Sequence, residues 1–193
     1  MPTDPSNSLI YKFEELDVEI TNEELLKSIK QLRNNASGGP DLLLNEFFKY
    51  ASNVLLPYLH KLCNSCLARG YFPDSWSEGH IVPIFKSGDT SDPSNYRGIT
   101  LLSTLGKLFS RILNNRLTAW ADQYEVYIEA QAGFRKGMST TDNIFVLHGI
   151  ISNTLNQGGT LYCAFVDFKK AFDFVVRDIL WYKLIKLDVR GES

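Results

Sequence analysis

The sequence predicts a helix-rich fold of the α+β or α/β class, because amphipathic, well-capped segments alternate with a few short apolar runs. At 193 residues, with 44% apolar and 22% charged positions, the chain can bury one substantial core. The formal net charge is −2, and acidic side chains are concentrated in the first 60 residues. A phosphate-binding surface would therefore be a local patch in the C-terminal two-thirds, where basic residues slightly outnumber acidic ones.

The N-terminal third is predicted to be helical after a polar leader over residues 1–20. Thr21 and Glu24 have the spacing of a capping box, and the leucines and isoleucine that follow repeat on one face. A turn with the residues GGPD comes next. A second helical region over residues 43–69 is expected to be interrupted near Pro57.

The middle of the chain predicts a strand, a loop and a helix. Residues 80–85 read as a short strand, and residues 86–98 form a polar loop too long for a tight hairpin. Ser103 or Thr104 then caps a helix that extends through Leu117. Its basic residues are expected largely off the apolar face: Lys107, Arg111 and Arg116.

The C-terminal part predicts two helices around an apolar strand. The first helix has three candidate caps and runs to about Leu155; the caps are Ser139, Thr140 and Thr141. Residues 161–166 have the continuous aromatic and β-branched character of a strand buried on both faces. A final helix is expected over residues 178–187.

Asp167 ends this apolar strand, and two interpretations of it remain open from the residues alone. A carboxylate is rarely buried unless it is paired or binds a metal. Asp167 is therefore either a solvated residue at the strand end or a metal ligand at its mouth.

The cysteines and the hydropathy exclude several classes of protein. Cys63 and Cys66 form a CxxC pair without a second ligand pair, so helix packing is favoured over a zinc site. An odd number of cysteines in apolar surroundings argues against a disulfide framework. We find neither a signal peptide nor a membrane-spanning run, and expect an intracellular protein, nuclear or cytoplasmic, with no membrane partner.

Four separated stretches, in this order, carry a resemblance that covers most of the chain. They are SGGPDLLLNEFFK at 37–49, IVPIFKSGDTSDPSNYRGITLLSTLGKLFSRILNNRL at 81–117, QAGFRKGMSTTDNIF at 131–145 and FVDFKKAFDFV at 165–175. Together they resemble the reverse transcriptases of non-LTR (LINE-type) retrotransposons, nearest to the jockey and CR1-like groups. The resemblance implies an α+β fold comprising the fingers and the first part of the palm of a right-hand polymerase.

The resemblance also implies two-metal nucleotidyl transfer, with two Mg²⁺ ions held by carboxylates, a deoxynucleoside triphosphate, an RNA template and a DNA primer. Asp167 corresponds to the first of three expected carboxylates, and the carbonyl of Phe168 to a further ligand. Phe172 matches a position whose ring excludes the ribose 2′-hydroxyl; its alternative is simple packing.

The same resemblance assigns the remaining candidate residues. Lys86 and Arg97 fall where the family contacts the incoming triphosphate, although each alone would be read as a surface cation. The template-contacting segment corresponds to Gly133, Phe134, Arg135, Ser139 and Thr140, and for the last two helix capping is a compatible alternative. SGGPD resembles an N-terminal template-binding loop of the family.

The match has gaps that limit the expected activity. The second catalytic signature, an aromatic residue followed by Ala-Asp-Asp, does not occur in the 193 residues. We therefore expect residues 21–160 to form the fingers and N-terminal region, residues 161–193 to form a truncated start of the palm, and the isolated chain to be inactive. Leu42 and Gly98 depart from the family pattern, which puts the sharp turn after GPD in doubt and predicts a looser loop around Arg97.

Two alternatives to an enzyme fragment remain. One is a non-catalytic nucleic-acid-binding remnant that keeps the template-facing loops. The other is a transposon relic without function, because an incomplete palm leaves an apolar strand surface uncovered.

Overall fold

The computed structural model of the chain describes residues 14–187 and 189, so most of the predicted polar leader lies outside the described residues. The helices are α1 (Glu14–Asp17), α2 (Asn22–Lys30), α3 (Asn45–Tyr50), α4 (Ser52–Ala68), α5 (Asp74–Ser77), α6 (Thr104–Gln123), α7 (Thr140–Asn156) and α8 (Arg177–Lys186). The strands are β1 (Gly79–Phe85) and β2 (Tyr96–Leu102). This mixture of many helices with a small sheet agrees with the predicted helix-rich class.

The chain divides into two compact units. Of the described residues, the first unit contains 14–120 and 189, and the second contains 121–187. None of the described helices combines the length and apolar character needed to cross a membrane.

The core of the first unit is built mainly from the apolar faces of α2, α4 and α6. Its most buried members include Ile20, Leu25, Ile29, Cys63, Leu108 and Ile112. Ile20 is fully buried, so the end of the predicted leader belongs to the packed structure. Removal of such side chains from water is the dominant favourable contribution to folding.

The predicted capping box at the start of α2 is confirmed. The backbone N–H of Glu24 donates to Thr21 Oγ1, and the Glu24 carboxylate accepts from the backbone N–H of Thr21. The packing role predicted for the CxxC pair is confirmed as well, because Cys63 and Cys66 are buried free thiols. Burial raises the pKa of Cys63 to about 12 and also raises the pKa of Cys66, so neither thiol ionises readily.

Pro57 does not interrupt the second helical region as predicted. It lies inside α4, and the break falls at Ala51, which separates α3 from α4. A proline removes one helical hydrogen bond, but α4 still buries the face that contains Leu59, Cys63 and Cys66. Packing of this apolar face therefore stabilises the helix enough for it to continue past the proline.

The two strands pair antiparallel, from Gly79 opposite Leu102 to Phe85 opposite Tyr96. The predicted strand is confirmed, but the predicted loop is too long, because residues 96–98 belong to β2. The expectation of a looser loop around Arg97 and Gly98 is therefore wrong: Gly98 lies in the ladder opposite Pro83. The local sequence of a loop does not show which of its residues will pair with another strand. Residues 96–98 are part of a strand because they pair with β1.

The predicted buried strand over residues 161–166 is also wrong. Residues 161–168 adopt neither helix nor strand, and Tyr162 and Phe165 are 92% and 84% exposed. A strand needs a neighbour to accept and donate its backbone hydrogen bonds. Among the described residues the sheet consists of β1 and β2 alone, so this apolar segment has no ladder to join.

Candidate nucleotide and template site

The two predicted triphosphate-contacting cations lie on one face of the hairpin of the first unit. Arg97 is opposite Ile84 in the ladder, and Lys86 is two residues beyond Ile84. The backbone N–H of Lys86 still donates to the carbonyl of Asn95, so the ladder pattern continues through this residue. Because alternate residues of a strand share a face, Lys86 and Arg97 are diagonal neighbours with exposed side chains.

The loop between the strands is held by its own side chains. The carboxylates of Asp89 and Asp92 accept hydrogen bonds from the backbone and hydroxyls of Ser91 and Ser94, respectively. These hydrogen bonds lower the pKa of both aspartates, because they stabilise the charged form. The loop that leads to Arg97 is therefore ordered by local contacts.

The predicted template segment lies in the second unit, before α7. Phe134 adopts a left-handed backbone conformation, with φ of 63°, and its side chain is 93% exposed. The Arg135 guanidinium stacks over the Tyr127 ring, 5.5 Å from the ring centroid. An exposed ring beside an aromatic-bound cation is suited to contact unpaired bases and the phosphates between them.

Two predicted residues from different motifs meet in this unit. The rings of Phe134 and Phe172 contact edge to face, with centroids 6.0 Å apart and an interplanar angle of 87°. Both rings remain largely exposed, so the pair is a surface feature and not part of a core. Tertiary structure thus joins the template segment to the segment that contains Asp167.

Asp167 and Phe168 follow the unpaired apolar segment and are exposed. The described residues contain no group of three or more histidine, cysteine or acidic side chains arranged to hold a metal ion. Magnesium sites are built from several oxygen ligands in near-octahedral geometry. Asp167 with the Phe168 carbonyl therefore does not fit a two-metal site.

Ser139 caps α7, and the capping alternative is confirmed for this residue. Its hydroxyl accepts from the backbone N–H of Asp142, and the Asp142 carboxylate accepts from the backbone N–H of Ser139. Thr140 is the first residue of the helix and is exposed. Gly133 lies in open space, where an added Cβ would meet nothing within 4 Å.

The SGGPD loop packs onto the start of α6 in the first unit. Ser103 Oγ donates to Asp41 at 2.6 Å, and a Cβ on Gly39 would overlap the backbone of Leu102 and Ser103. Leu42 has φ of 55°, the left-handed region that disfavours leucine. The doubted turn after GPD is therefore formed, with a leucine in a conformation that suits glycine.

Tyr127 is a candidate site residue that the sequence did not identify. It contacts Arg135 from eight positions upstream across a segment that is neither helix nor strand, where no regular periodicity predicts which side chains meet. An aromatic residue near a predicted cation is a weak signal in a chain with nine tyrosines and twelve phenylalanines.

Comparison with known proteins identifies relatives of this chain. Residues 84–192, more than half of the chain, match the family described as reverse transcriptase (RNA-dependent DNA polymerase). The chain is 33% identical over 166 residues to a probable RNA-directed DNA polymerase from transposon BS of Drosophila melanogaster. It is 32% identical over 169 residues to the RNA-directed DNA polymerase from mobile element jockey of the same species. It is 31% identical over 170 residues to the retrovirus-related Pol polyprotein from type-1 retrotransposable element R2 of Popillia japonica.

These alignments cover 86%, 87% and 88% of this chain, respectively, but only 18%, 18% and 22% of the relatives. The chain therefore spans about a fifth of the length of the curated relatives it matches. The matched region begins near the end of β1 and contains the loop between the strands, β2, the template segment and Asp167. The chain belongs to the reverse transcriptase family, in the group of polymerases encoded by non-LTR retrotransposons.

Proposed function

We propose that this chain forms the fingers and the first part of the palm of an RNA-directed DNA polymerase, with residues 21–160 as fingers and residues 161–193 as the start of the palm. In this role it contacts an RNA template, a DNA primer and a deoxynucleoside triphosphate. The contact between Phe134 and Phe172 carries the proposal, because it joins two motif segments of the matched region in one surface.

The residues have separate roles in this proposal. Arg135 and Phe134 contact the template, because a cation pairs with phosphate and an exposed ring stacks on a base. Lys86 and Arg97 neutralise the triphosphate. Phe172 excludes a ribose 2′-hydroxyl by its bulk.

We further propose that the 193-residue polypeptide binds nucleic acid without polymerising it. The complete family enzyme would use two Mg²⁺ ions to promote nucleotidyl transfer. Asp167 with the Phe168 carbonyl supplies too few ligands for such a pair of ions. The chain alone thus has the chemistry of a binding module.

A primer-extension assay with Mg²⁺ tests the catalytic half of the proposal. The purified chain is incubated with primed RNA and deoxynucleoside triphosphates, and we expect no incorporation. Template-dependent synthesis by the wild-type chain that Asp167→Ala abolishes would contradict the proposal.

RNA binding tests the other half. We expect fluorescence anisotropy to show binding of single-stranded RNA, weakened roughly fivefold to tenfold by Arg135→Ala because one phosphate is no longer neutralised. The matched control is Arg69→Ala, which removes an exposed arginine at the C-terminal end of α4. Equal affinity of wild type and Arg135→Ala would remove Arg135 from the template surface.

A further inference from the structure

A basic pocket in the first unit is made of residues that the family resemblance did not assign. It is an open cavity of about 600 Å³ between the chain that leaves α2, helix α5 and the N-terminal half of α6. Three cations line it, Arg33, Lys107 and Arg111, and none of its lining residues carries a carboxylate. In a chain of net charge −2, such a one-sided grouping is a local positive field.

Helix α6 presents the polar wall of this pocket. Lys107, Ser110, Arg111 and Asn114 follow the i, i+3, i+4, i+7 spacing of one helical face. Leu108 and Ile112 alternate with them and are buried in the core, which fixes the rotation of the helix. The polar face of α6 therefore lines the pocket, because the apolar face of the same helix is buried in the core.

The three cations differ in the hydrogen bonds and ion pairs that their side chains already form. Arg111 donates from Nη1 to the carbonyl of Gln31 at 2.7 Å, which holds its guanidinium in place and leaves its other donors available. Within residues 14–187 and 189, neither Arg33 nor Lys107 forms an ion pair. Arg116, by contrast, is neutralised by Glu24. The charges of Arg33 and Lys107 in the pocket are therefore not neutralised by an ion pair within the described part of the chain.

An aromatic wall completes the pocket. Phe72 and Trp76 contact edge to face at 5.5 Å, and Trp76 also packs on Phe109 at 5.8 Å. Trp76 is 6% exposed, whereas Phe72 is 38% exposed and presents its ring to solvent. Phe72 is therefore a rigid aromatic surface next to three cations, the combination that single-stranded nucleic acids recognise.

We propose that this pocket binds the phosphodiester backbone of single-stranded RNA, at a site distinct in its residues from the template segment around Arg135. A free triphosphate would bring Mg²⁺, which carboxylates normally help to hold, and the lining has none. Several cations together with side-chain amides suit an RNA strand, whose phosphates each carry one negative charge and are spaced along the backbone. The pocket carries this inference independently of the function proposed for the template segment.

The test uses the full 193-residue chain and a labelled oligouridylate in fluorescence anisotropy over a range of salt concentrations. We expect the double variant Arg33→Ala with Lys107→Ala to bind at least about fivefold more weakly at low salt. The slope of log affinity against log salt should become shallower by about 0.7 for each phosphate that the variant no longer neutralises. Lys107→Arg should retain binding, because it keeps the charge.

The matched control is Lys61→Ala with Arg69→Ala, which removes the same two residue types from exposed positions outside the pocket. Thermal unfolding by circular dichroism verifies that all variants fold. Unchanged affinity and slope in the pocket variant would overturn the inference, as would displacement of the RNA by uridine triphosphate at concentrations where a non-nucleotide polyanion has no effect.

Arg135→Ala in the same assay separates this inference from the proposed function. Loss of binding in Arg135→Ala alone contradicts the pocket and supports the template segment. Loss in the pocket variant alone supports the pocket and contradicts the template contact. Losses in both, with additive effects on the salt slope, support two sites.

Discussion

Arg116 binds both carboxylate oxygens of Glu24, at 2.7 Å from Nε and 2.9 Å from Nη2. The same guanidinium donates to the carbonyls of Leu16, Val18 and Glu19. Its side chain is 7% exposed, whereas that of Glu24 is 33% exposed. Arg116 was expected off the apolar face of α6, and that expectation is wrong: it ties α6 to the chain that enters α2.

We expect Arg116→Ala to lower the free energy of unfolding by about 2–4 kcal/mol, because it leaves Glu24 without its ion pair, although Thr21 still donates to that carboxylate, and leaves three carbonyls without the Arg116 donor. Urea denaturation measures the change. Arg69→Ala, at an exposed position, should change stability by less than about 0.5 kcal/mol. Similar values for both variants would show that the Arg116 contacts contribute little.

Glu24 should make the first unit sensitive to acid. Hydrogen bonds from Arg116, aided by Thr21, lower its pKa from the ordinary 4.5 to about 2 against the opposing effect of burial. A carboxylate with a lowered folded-state pKa stabilises fully above about pH 4.5, and this contribution is lost as the pH falls towards 2. Because the side chain is one-third exposed, solvent screens part of this interaction. We therefore expect the free energy of unfolding to fall by roughly 1–2 kcal/mol between pH 6 and pH 2.5 from this group.

Urea midpoints between pH 6 and pH 2.5 measure this acid sensitivity. Glu24→Gln should be less stable at pH 6 and show a smaller loss on acidification than wild type. Glu23→Gln, an exposed neighbour in the first turn of α2, should retain the wild-type profile. An unchanged acid profile in Glu24→Gln would rule out this carboxylate as the source.

Leu42→Gly should stabilise the chain although it removes a side chain. Leu42 is 76% exposed and has φ of 55°, so glycine loses little packing and removes about 1 kcal/mol of backbone strain. The greater entropy of glycine in the unfolded chain offsets part of this gain, and we expect a net increase of about 0.5 kcal/mol.

The control is Leu62→Gly in the same unit, because Leu62 is 38% exposed but lies inside α4, where glycine is less favourable than leucine. It should lower the thermal midpoint, whereas Leu42→Gly should raise it. A lowered midpoint in both variants would mean that the left-handed leucine carries no strain.

Ser139→Ala should fray the start of α7. The hydroxyl accepts from the backbone N–H of Asp142, and loss of such a cap costs about 1 kcal/mol. Hydrogen exchange at the first amides of α7 should be faster by roughly fivefold. Ser139→Asp should restore protection, and Thr140→Ala should leave it nearly unchanged. Faster exchange without weaker RNA binding would assign Ser139 to capping alone.

Much of the secondary structure was predictable because its signals are local. The Thr21 and Ser139 caps, the apolar faces of α2 and α6, and the strand at β1 depend on residues within a few positions of each other. The family motifs were likewise readable as short strings. Which candidate residues meet was not readable, since Phe134 and Phe172 are separated by a helix and an irregular segment.

The sequence by itself determined the helix-rich class, the family and the residue types of the candidate site. Tertiary structure decided three other features: the burial of Arg116, the joining of residues 96–98 to β1, and the exposure of residues 162–168. The physical reason is the same in each case. Whether an apolar or charged segment is buried depends on a partner that is distant in the chain. Hydropathy indicates the tendency of a segment to be buried, but it does not identify that partner.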